Sequence, residues 1–397
     1  MKAPTLPAPQ SAAREATRFV VLMGVVSLLA DATYEGARSL LGPYLLALGA
    51  SATAVGFVAG LGELVGYGLR LVSGRLADRT RRFWDLTAGG YAVNLLSVPL
   101  LAVVGRWEAA AALVVAERAG KAVRTPPRDA MLSYAASRVG AGWAFGLHEA
   151  LDQVGAVAGP LLVAAVLGAG GSLRWGFAAL AFPAALCLLT VAWARIRFPQ
   201  PSHLEDSSTP VDFRLRHALG PYLLGAGLVA AGFADFPLLA YHFARNAVLP
   251  TAAVPALYAL AMATDGGAAL VLGRWFDRYG TRTLAVGTAA TAAFAPLAIF
   301  GGPAGAVAGI ALWGMGVGLQ ESVLRAAVAR MVPPDRRASA FGLFQTVYGV
   351  AWFAGSALMG LLYDAHPGYL VLFAVATQLS AAGLFGWSAA RSPLRRR

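Results

Sequence analysis

Gly74-Arg75-Leu76-Ala77-Asp78-Arg79-Thr80-Arg81-Arg82 returns 199 residues later as Gly273-Arg274-Trp275-Phe276-Asp277-Arg278-Tyr279-Gly280-Thr281-Arg282. Each stretch is a short basic segment between long apolar ones. The chain therefore reads as two homologous bundles, each carrying this segment after its second apolar stretch.

Composition sets the solvent. The chain is 58% hydrophobic and 13% charged, with a mean hydropathy of +0.62 over 397 residues. No water-exposed surface of that size would be so apolar. A hydrocarbon core ~30 Å thick takes ~20 apolar residues per helix. Twelve such stretches fit, near 18–46, 52–73, 84–105, 107–124, 140–168, 173–195, 219–244, 250–272, 283–302, 304–326, 338–363 and 368–390. Gly or Pro interrupts many of them, as membrane helices tolerate. The expectation is an all-α membrane protein of twelve transmembrane helices in two pseudo-symmetric six-helix bundles.

The net charge of +12 is distributed by topology. With loops assigned alternately to the two sides, 26 of the 32 basic residues fall on the side of the termini, among them Arg75, Arg79, Arg124, Arg128, Arg274 and Arg336. Positive-inside bias puts both termini in the cytoplasm with an even number of spans. The basic excess needs no nucleic-acid partner. Cys187 is the single cysteine, which excludes an intrachain disulfide and argues against a metal cluster; neither metal nor cofactor is expected. No cleavable signal peptide is expected at the Pro- and Ala-rich start. Residues 196–218, rich in Pro, Ser and acids, read as a cytoplasmic hinge between bundles at 1–195 and 219–397.

The repetition extends further. Ala144-Phe145-Gly146-Leu147 recurs as Ala340-Phe341-Gly342-Leu343, and Ala30-Asp31 as Ala234-Asp235. Glu117 aligns with Glu321, each followed by a Pro-Pro pair read as a turn, Pro126-Pro127 and Pro333-Pro334. On these residues the chain resembles the major facilitator superfamily over essentially its whole length. That family's signature has Gly, three residues, Asp-Arg, then Gly and further basic residues. Gly74, Asp78, Arg79 and Arg82 match it, with Arg81 where the family usually has Gly; Gly273, Asp277, Arg278, Gly280 and Arg282 match it again. The resemblance implies a secondary transporter whose paired motifs latch the cytoplasmic ends of the halves. Physically, a Gly permits close helix approach, and an Asp can meet the positive end of a helix dipole across the interface. Gly155, Gly159 and Pro160 in the fifth span resemble the antiporter motif of the family's drug exporters, and equally fit ordinary small-residue packing.

Ionisable residues inside spans are costly and mark pathways. Asp31, Glu35 and Arg38 fall on one face of the first span, and Glu63 and Arg70 on one face of the second. Arg118 lies beside Glu117 and Lys121 in the fourth span, where Arg124 is expected to snorkel to the surface. His148, Glu149, Asp152 and Gln153 lie in the fifth. The second half is sparser, with Asp235, His242, Asp265, Gln320 and Glu321. An acid in low dielectric can take up and release a proton, so Asp31, Glu35, Glu149 and Asp152 are the candidate proton carriers. Arg38, Glu63, Arg118, His148, Asp235 and Glu321 are the candidate substrate cavity. Aromatic residues such as Tyr34, Tyr67, Trp313, Tyr348 and Trp352 either line an apolar pocket or pack.

No catalytic triad, zinc site or nucleotide loop is present, so no enzymatic activity is expected. The leading expectation is a monomeric, proton-coupled transporter of a small organic solute in the cytoplasmic membrane, working by alternating access and in the export direction. A passive uniporter and a proton-coupled importer are the alternatives.

Overall fold

The structure is a computed structural model that describes residues 9–139, 141–204, 219–324, 326–328 and 337–391. Every element within them is helical. The first five spans are Pro9–Ala47, Ala52–Thr80, Phe83–Leu100, Trp107–Val139 and Ala141–Gly168, and the sixth joins Leu173–Ala179 to Ala181–Arg197. The seventh is broken into Leu219–Gly232 and Phe236–Arg245. Ala253–Tyr279 follows, then Arg282–Thr291 with Phe294–Phe300, Gly302–Gly318 with a wide turn at Leu319–Leu324, Arg337–Ala365, and Pro367–Arg391. This is the twelve-span, two-bundle architecture. The segment expected as a hinge is helical to Arg197 and holds a short turn at Pro201–Leu204; 205–218 lie outside the described residues, as does the Pro333-Pro334 pair.

Among the described residues, ten segments are long and apolar enough to cross a membrane. The third and fourth spans are more polar in composition, and several of their polar side chains face inward: Asn94, Glu117, Arg124 and Arg128 are all buried. Large apolar side chains such as Phe182, Leu189, Ile196 and Leu372 point outward instead, as they would toward hydrocarbon.

The fourth span corrects the sequence reading. Pro126 and Pro127 do not end it; the helix continues to Val139. A proline removes the N–H that would bond the carbonyl four residues back. Here the carbonyl of Ala122, left free by Pro126, accepts a 2.9 Å hydrogen bond from Ser73 Oγ of the second span. A neighbouring hydroxyl thus replaces the missing donor. Arg128 is consequently buried in the bundle, with Asp129 half-exposed beside it at the cavity.

Three apolar clusters give the molecule its shape. One is shared between halves, with Leu41, Tyr44 and Val58 against Phe236, Leu239 and Tyr363. The other two are centred in one half each: Phe19, Tyr91 and Met131 in the first, and Tyr222, Leu272 and Phe385 in the second, where Tyr67 of the first half packs against Tyr348. The shared cluster lies at the ends of the spans remote from the basic loops. The halves are therefore joined at one face and parted at the basic face.

Backbone contact seals the joined face. A side chain at Gly42 would strike the Pro237 carbonyl and come within 2.7 Å of Tyr241 N, and one at Gly360 would lie 2.6 Å from Ala52 O. Asp364 at the end of the eleventh span closes the seal from the other half. Its carboxylate accepts from the backbone N–H of Ala52 (3.2 Å) and of Thr53 (2.7 Å), and from Thr53 Oγ1 (2.6 Å). Those N–H groups are the unpaired start of the second span, where a negative charge is favoured. Arg245 Nη1 stands 3.6 Å from the same carboxylate. Hydrogen bonds to a charged group contribute about 1.5–3 kcal/mol. Asp364→Asn should therefore open this seal about tenfold more often. The check is the rate at which Ala240→Cys, buried in the seal, reacts with a membrane-impermeant maleimide in each background; equal rates would remove Asp364 from the seal.

Candidate functional site

Between the halves lies a cavity of about 620 Å³ that extends toward the basic face. The first span supplies its spine: Asp31, Tyr34, Glu35 and Arg38 recur at helical spacing and all line it. The fifth span fixes how that face is presented. A side chain at Gly155 would meet the Leu28 carbonyl, and one at Gly159 would meet that of Ala32, 2.7 Å from its carbon. Only hydrogen at those positions lets the backbones touch. Pro160 is accommodated within the unbroken helix Ala141–Gly168.

Charges buried this way need partners. Arg38 Nη2 stands 3.5 Å from Glu63 Oε1 and 3.5 Å from Asp235 Oδ1, so it joins the second and seventh spans. Arg118 Nη1 lies 3.0 Å from the same Glu63 oxygen, and its Nε 3.5 Å from Glu117 Oε2. The Tyr34 hydroxyl accepts from Arg38 Nη1 at 3.0 Å and from Arg118 Nη1. Its ring lies 4.7 Å from the Arg118 guanidinium carbon and 3.8 Å from Lys121 Nζ. Lower in the cavity, Arg128 Nη1 donates to Ser27 Oγ at 3.3 Å, and Ser27 Oγ donates to Asp152.

The second half contributes a broken helix and an aromatic wall. Pro237 stands in the first turn of the second piece of the seventh span, and the chain is non-helical between the pieces. Trp313 Nε1 donates to the buried Ala234 carbonyl at the break, at 2.8 Å. Asp235 is 2% exposed and accepts from Trp352 Nε1 at 2.9 Å and Ser356 Oγ at 2.5 Å. At the cavity, two hydrogen bonds among the described residues cross between halves: Tyr258 hydroxyl to Glu35 at 2.5 Å, and Gln153 Nε2 to Asp265 at 3.4 Å.

The sequence-derived candidates divide clearly. Asp31, Glu35, Arg38, Glu63, Arg118, His148, Glu149, Asp152 and Glu321 all line the cavity. Asp235 sits just behind its wall beneath Arg38, and Glu117 is held behind Arg118 by Asn94 Nδ2 at 2.5 Å. His242 is elsewhere, 2.8 Å from the Tyr363 hydroxyl near the sealed face. Arg124 does not snorkel. It is 1% exposed, stacked 4.3 Å from the Tyr91 ring centroid, with Nη2 3.8 Å from Asp31. The continued fourth helix, not a loop, dictates its position. Sequence reading also missed Tyr258, Arg128 and Asp129 as cavity residues. The row Arg118, Lys121, Thr125 and Arg128, on one helical face, was the signal available.

The repeated motif stands away from the cavity. Asp78, Arg79 and Arg82 are exposed at the basic face, and a side chain at Gly74 would meet only Pro126 Cβ at 3.6 Å. Gly273 is similarly uncrowded, with Ser322 Oγ at 3.6 Å, and Arg278 lies over Tyr279 at 5.3 Å. The Asp277 side chain is outside the described residues. Among the described residues no His, Cys, Asp and Glu group is arranged to hold a metal ion.

Comparison with known proteins agrees with this architecture. The family described as Major Facilitator Superfamily matches residues 23–264 and again 223–397. An uncharacterised protein of Mycobacterium tuberculosis is 45% identical over 377 residues, covering 93% of this chain and 92% of that protein. An uncharacterised MFS-type transporter of Methanocaldococcus jannaschii is 25% identical over 374 residues, 91% of this chain and 92% of its own. Among solved structures, a variant of the nucleoside transporter NupG superposes with a TM-score of 0.77 at 14% identity, covering 93% of this chain and 99% of that one. That likeness is one of fold. With its two six-helix bundles, broken seventh span and buried charged cavity, the chain belongs to the major facilitator superfamily.

Proposed function

We propose that this protein is a proton-coupled secondary transporter that carries a small organic solute across the cytoplasmic membrane by alternating access, in the export direction. The observation that supports this most is the one-sided cavity. A charged chamber lined by both halves opens at the basic face, while the opposite face is held shut by contacts between those same halves. Rocking the halves would exchange the two faces without dismantling either bundle. The basic face is the cytoplasmic one by the distribution of Lys and Arg, so this conformation receives solute from the cell. Both termini are then cytoplasmic. In this reading the bundles at 1–195 and 219–397 move as bodies, and a monomer suffices because one chain encloses the whole cavity.

Gly74, Asp78, Arg79 and Arg82, with Gly273, Asp277 and Arg278, form the cytoplasmic latch in this reading. Asp78, Arg79 and Arg82 are exposed here at the open face, and would engage the other half when it closes. Asp78→Asn should insert normally yet lose most of its transport, because the closed cytoplasmic face is weakened. Wild-type flux from a well-inserted Asp78→Asn protein would reduce the motif to a topological signal.

Of the four carboxylates proposed to carry protons, Asp31, Glu35, Glu149 and Asp152, Glu35 is the favoured one. Its carboxylate accepts the hydroxyl of Tyr258 from the other half, so its protonation state bears directly on whether the halves hold together. The test is proteoliposome flux of a ligand found by thermal-shift screening. Glu35→Gln should lose flux driven by a pH gradient and keep exchange without one. Gradient-driven flux at the wild-type level would remove Glu35 and turn attention to Asp31 and Asp152. A wild type indifferent to the gradient would favour the passive uniporter.

A further inference from the structure

We infer that the transported solute is a zwitterion with an apolar body, its acidic group held by Lys121 and Arg124 of the first half and its amine by Asp265 of the second. This rests on the transport reading above and gives it a substrate class.

The cavity is polarised between halves. Its six bases, Arg38, Arg70, Arg118, Lys121, Arg124 and Arg128, all come from the first half. Among the described residues the second half adds no base; its charged groups are Asp265 and Glu321, set among Gln345, Val317 and the faces of Tyr258, Met262, Trp313 and Trp352. A solute touching both walls therefore meets unlike charges at its two ends.

At each end, polar groups are left over after the protein's own pairing. Lys121 Nζ rests on the Tyr34 ring at 3.8 Å and has no carboxylate within ion-pair distance among the described residues. Arg124 uses only Nη2, toward Asp31; its Nε and Nη1 are buried without a hydrogen-bond partner. Across the cavity, Asp265 is 3% exposed and accepts one hydrogen bond, from Gln153, with no base beside it among the described residues. Gln153 Oε1, next to it, is itself buried and unpartnered. Buried donors without acceptors, and a buried carboxylate without a cation, are each unfavourable until a ligand completes them. An anionic group answers the first set, and an ammonium with several N–H donors answers the second.

The leftover groups argue against simpler ligands. An anion alone leaves Asp265 without a cation and Gln153 Oε1 without a donor. A cation alone leaves Lys121 Nζ and the Nε and Nη1 of Arg124 without a hydrogen-bond acceptor. A zwitterion satisfies both ends, with Trp313 and Trp352 available to its middle. A cavity of about 620 Å³ accommodates a molecule of this size.

The test uses the full chain in detergent and its single cysteine. Cys187 is buried, so a thiol-reactive dye reports unfolding as it becomes exposed. The probes are two aromatic zwitterions, L-tryptophan with adjacent charges and 4-(aminomethyl)benzoate with distant ones. Each is set against its N-acetyl derivative and its amide. At least one zwitterion should raise the unfolding midpoint at a concentration tenfold or more below both of its singly charged derivatives. Lys121→Gln should erase the advantage over the amide, and Asp265→Asn the advantage over the N-acetyl form, each read against the variant's own unliganded midpoint. An amide or N-acetyl derivative that stabilises as well as its zwitterion, no stabilisation by any probe, or either variant keeping its full preference would overturn the assignment. Because this assay needs no transport, those outcomes leave the transport reading standing. A zwitterion that binds as described but is never carried into proteoliposomes would sink transport and leave the site.

Discussion

Arg38 is the constraint on which the rest of the structure turns. A guanidinium inside a membrane-embedded bundle must be neutralised by partners that cannot move away. Arg38 finds two, Glu63 in its own half and Asp235 in the other, each at 3.5 Å. Asp235 is fixed in turn by Trp352 and Ser356, and it is available because the seventh span breaks beside it. Glu63 is shared with Arg118, which ties in the fourth span and Tyr34. One buried charge thus links the first, second, fourth, seventh and eleventh spans. Anything that displaces its partners acts on both halves together.

The rest of the molecule divides around that point. On one side the halves share an apolar cluster and near-contact of backbone at Gly42 and Gly360, where close packing leaves no room for solute. On the other, each half keeps its own core, and charged side chains face the gap. The seal is sharply directional because its polar lock, Asp364 on the start of the second span, works only at one geometry of the halves. In the proposed cycle the repeated Gly and Asp motif, at the far ends of the second and eighth spans, takes the reciprocal task. Two interfaces that cannot be satisfied at once make a two-state device, and a charged pair at the pivot is well placed to bias it.

Much of the fold was legible in the sequence because the governing signals are local. Hydropathy gave the spans, and the second Gly74-type motif at Gly273 gave the duplication. The first-span face was equally readable, since helical spacing alone puts Asp31, Glu35 and Arg38 together. What stayed hidden depended on partners distant in sequence. Pro126 and Pro127 read as a turn because the rescue of the Ala122 carbonyl comes from Ser73, on another helix. Arg124 read as a surface residue for the same reason: once the helix continues, Tyr91 and Asp31 enclose it. Asp364 gave no signal, being one acid near the end of a span, and only the fold brings the start of the second span to it.

The central claim is that the two faces open reciprocally about this charged pivot. Spin labels on exposed sites would test it directly in proteoliposomes, with one pair at Thr80 and Tyr279 across the basic face and another at Ala47 and Thr251 across the sealed face. Distances from double electron–electron resonance, recorded in acidic and alkaline buffer, should change in opposite senses: as the basic-face pair shortens, the other lengthens. Two distances that stay fixed, or that lengthen and shorten together, would contradict alternating access in this protein.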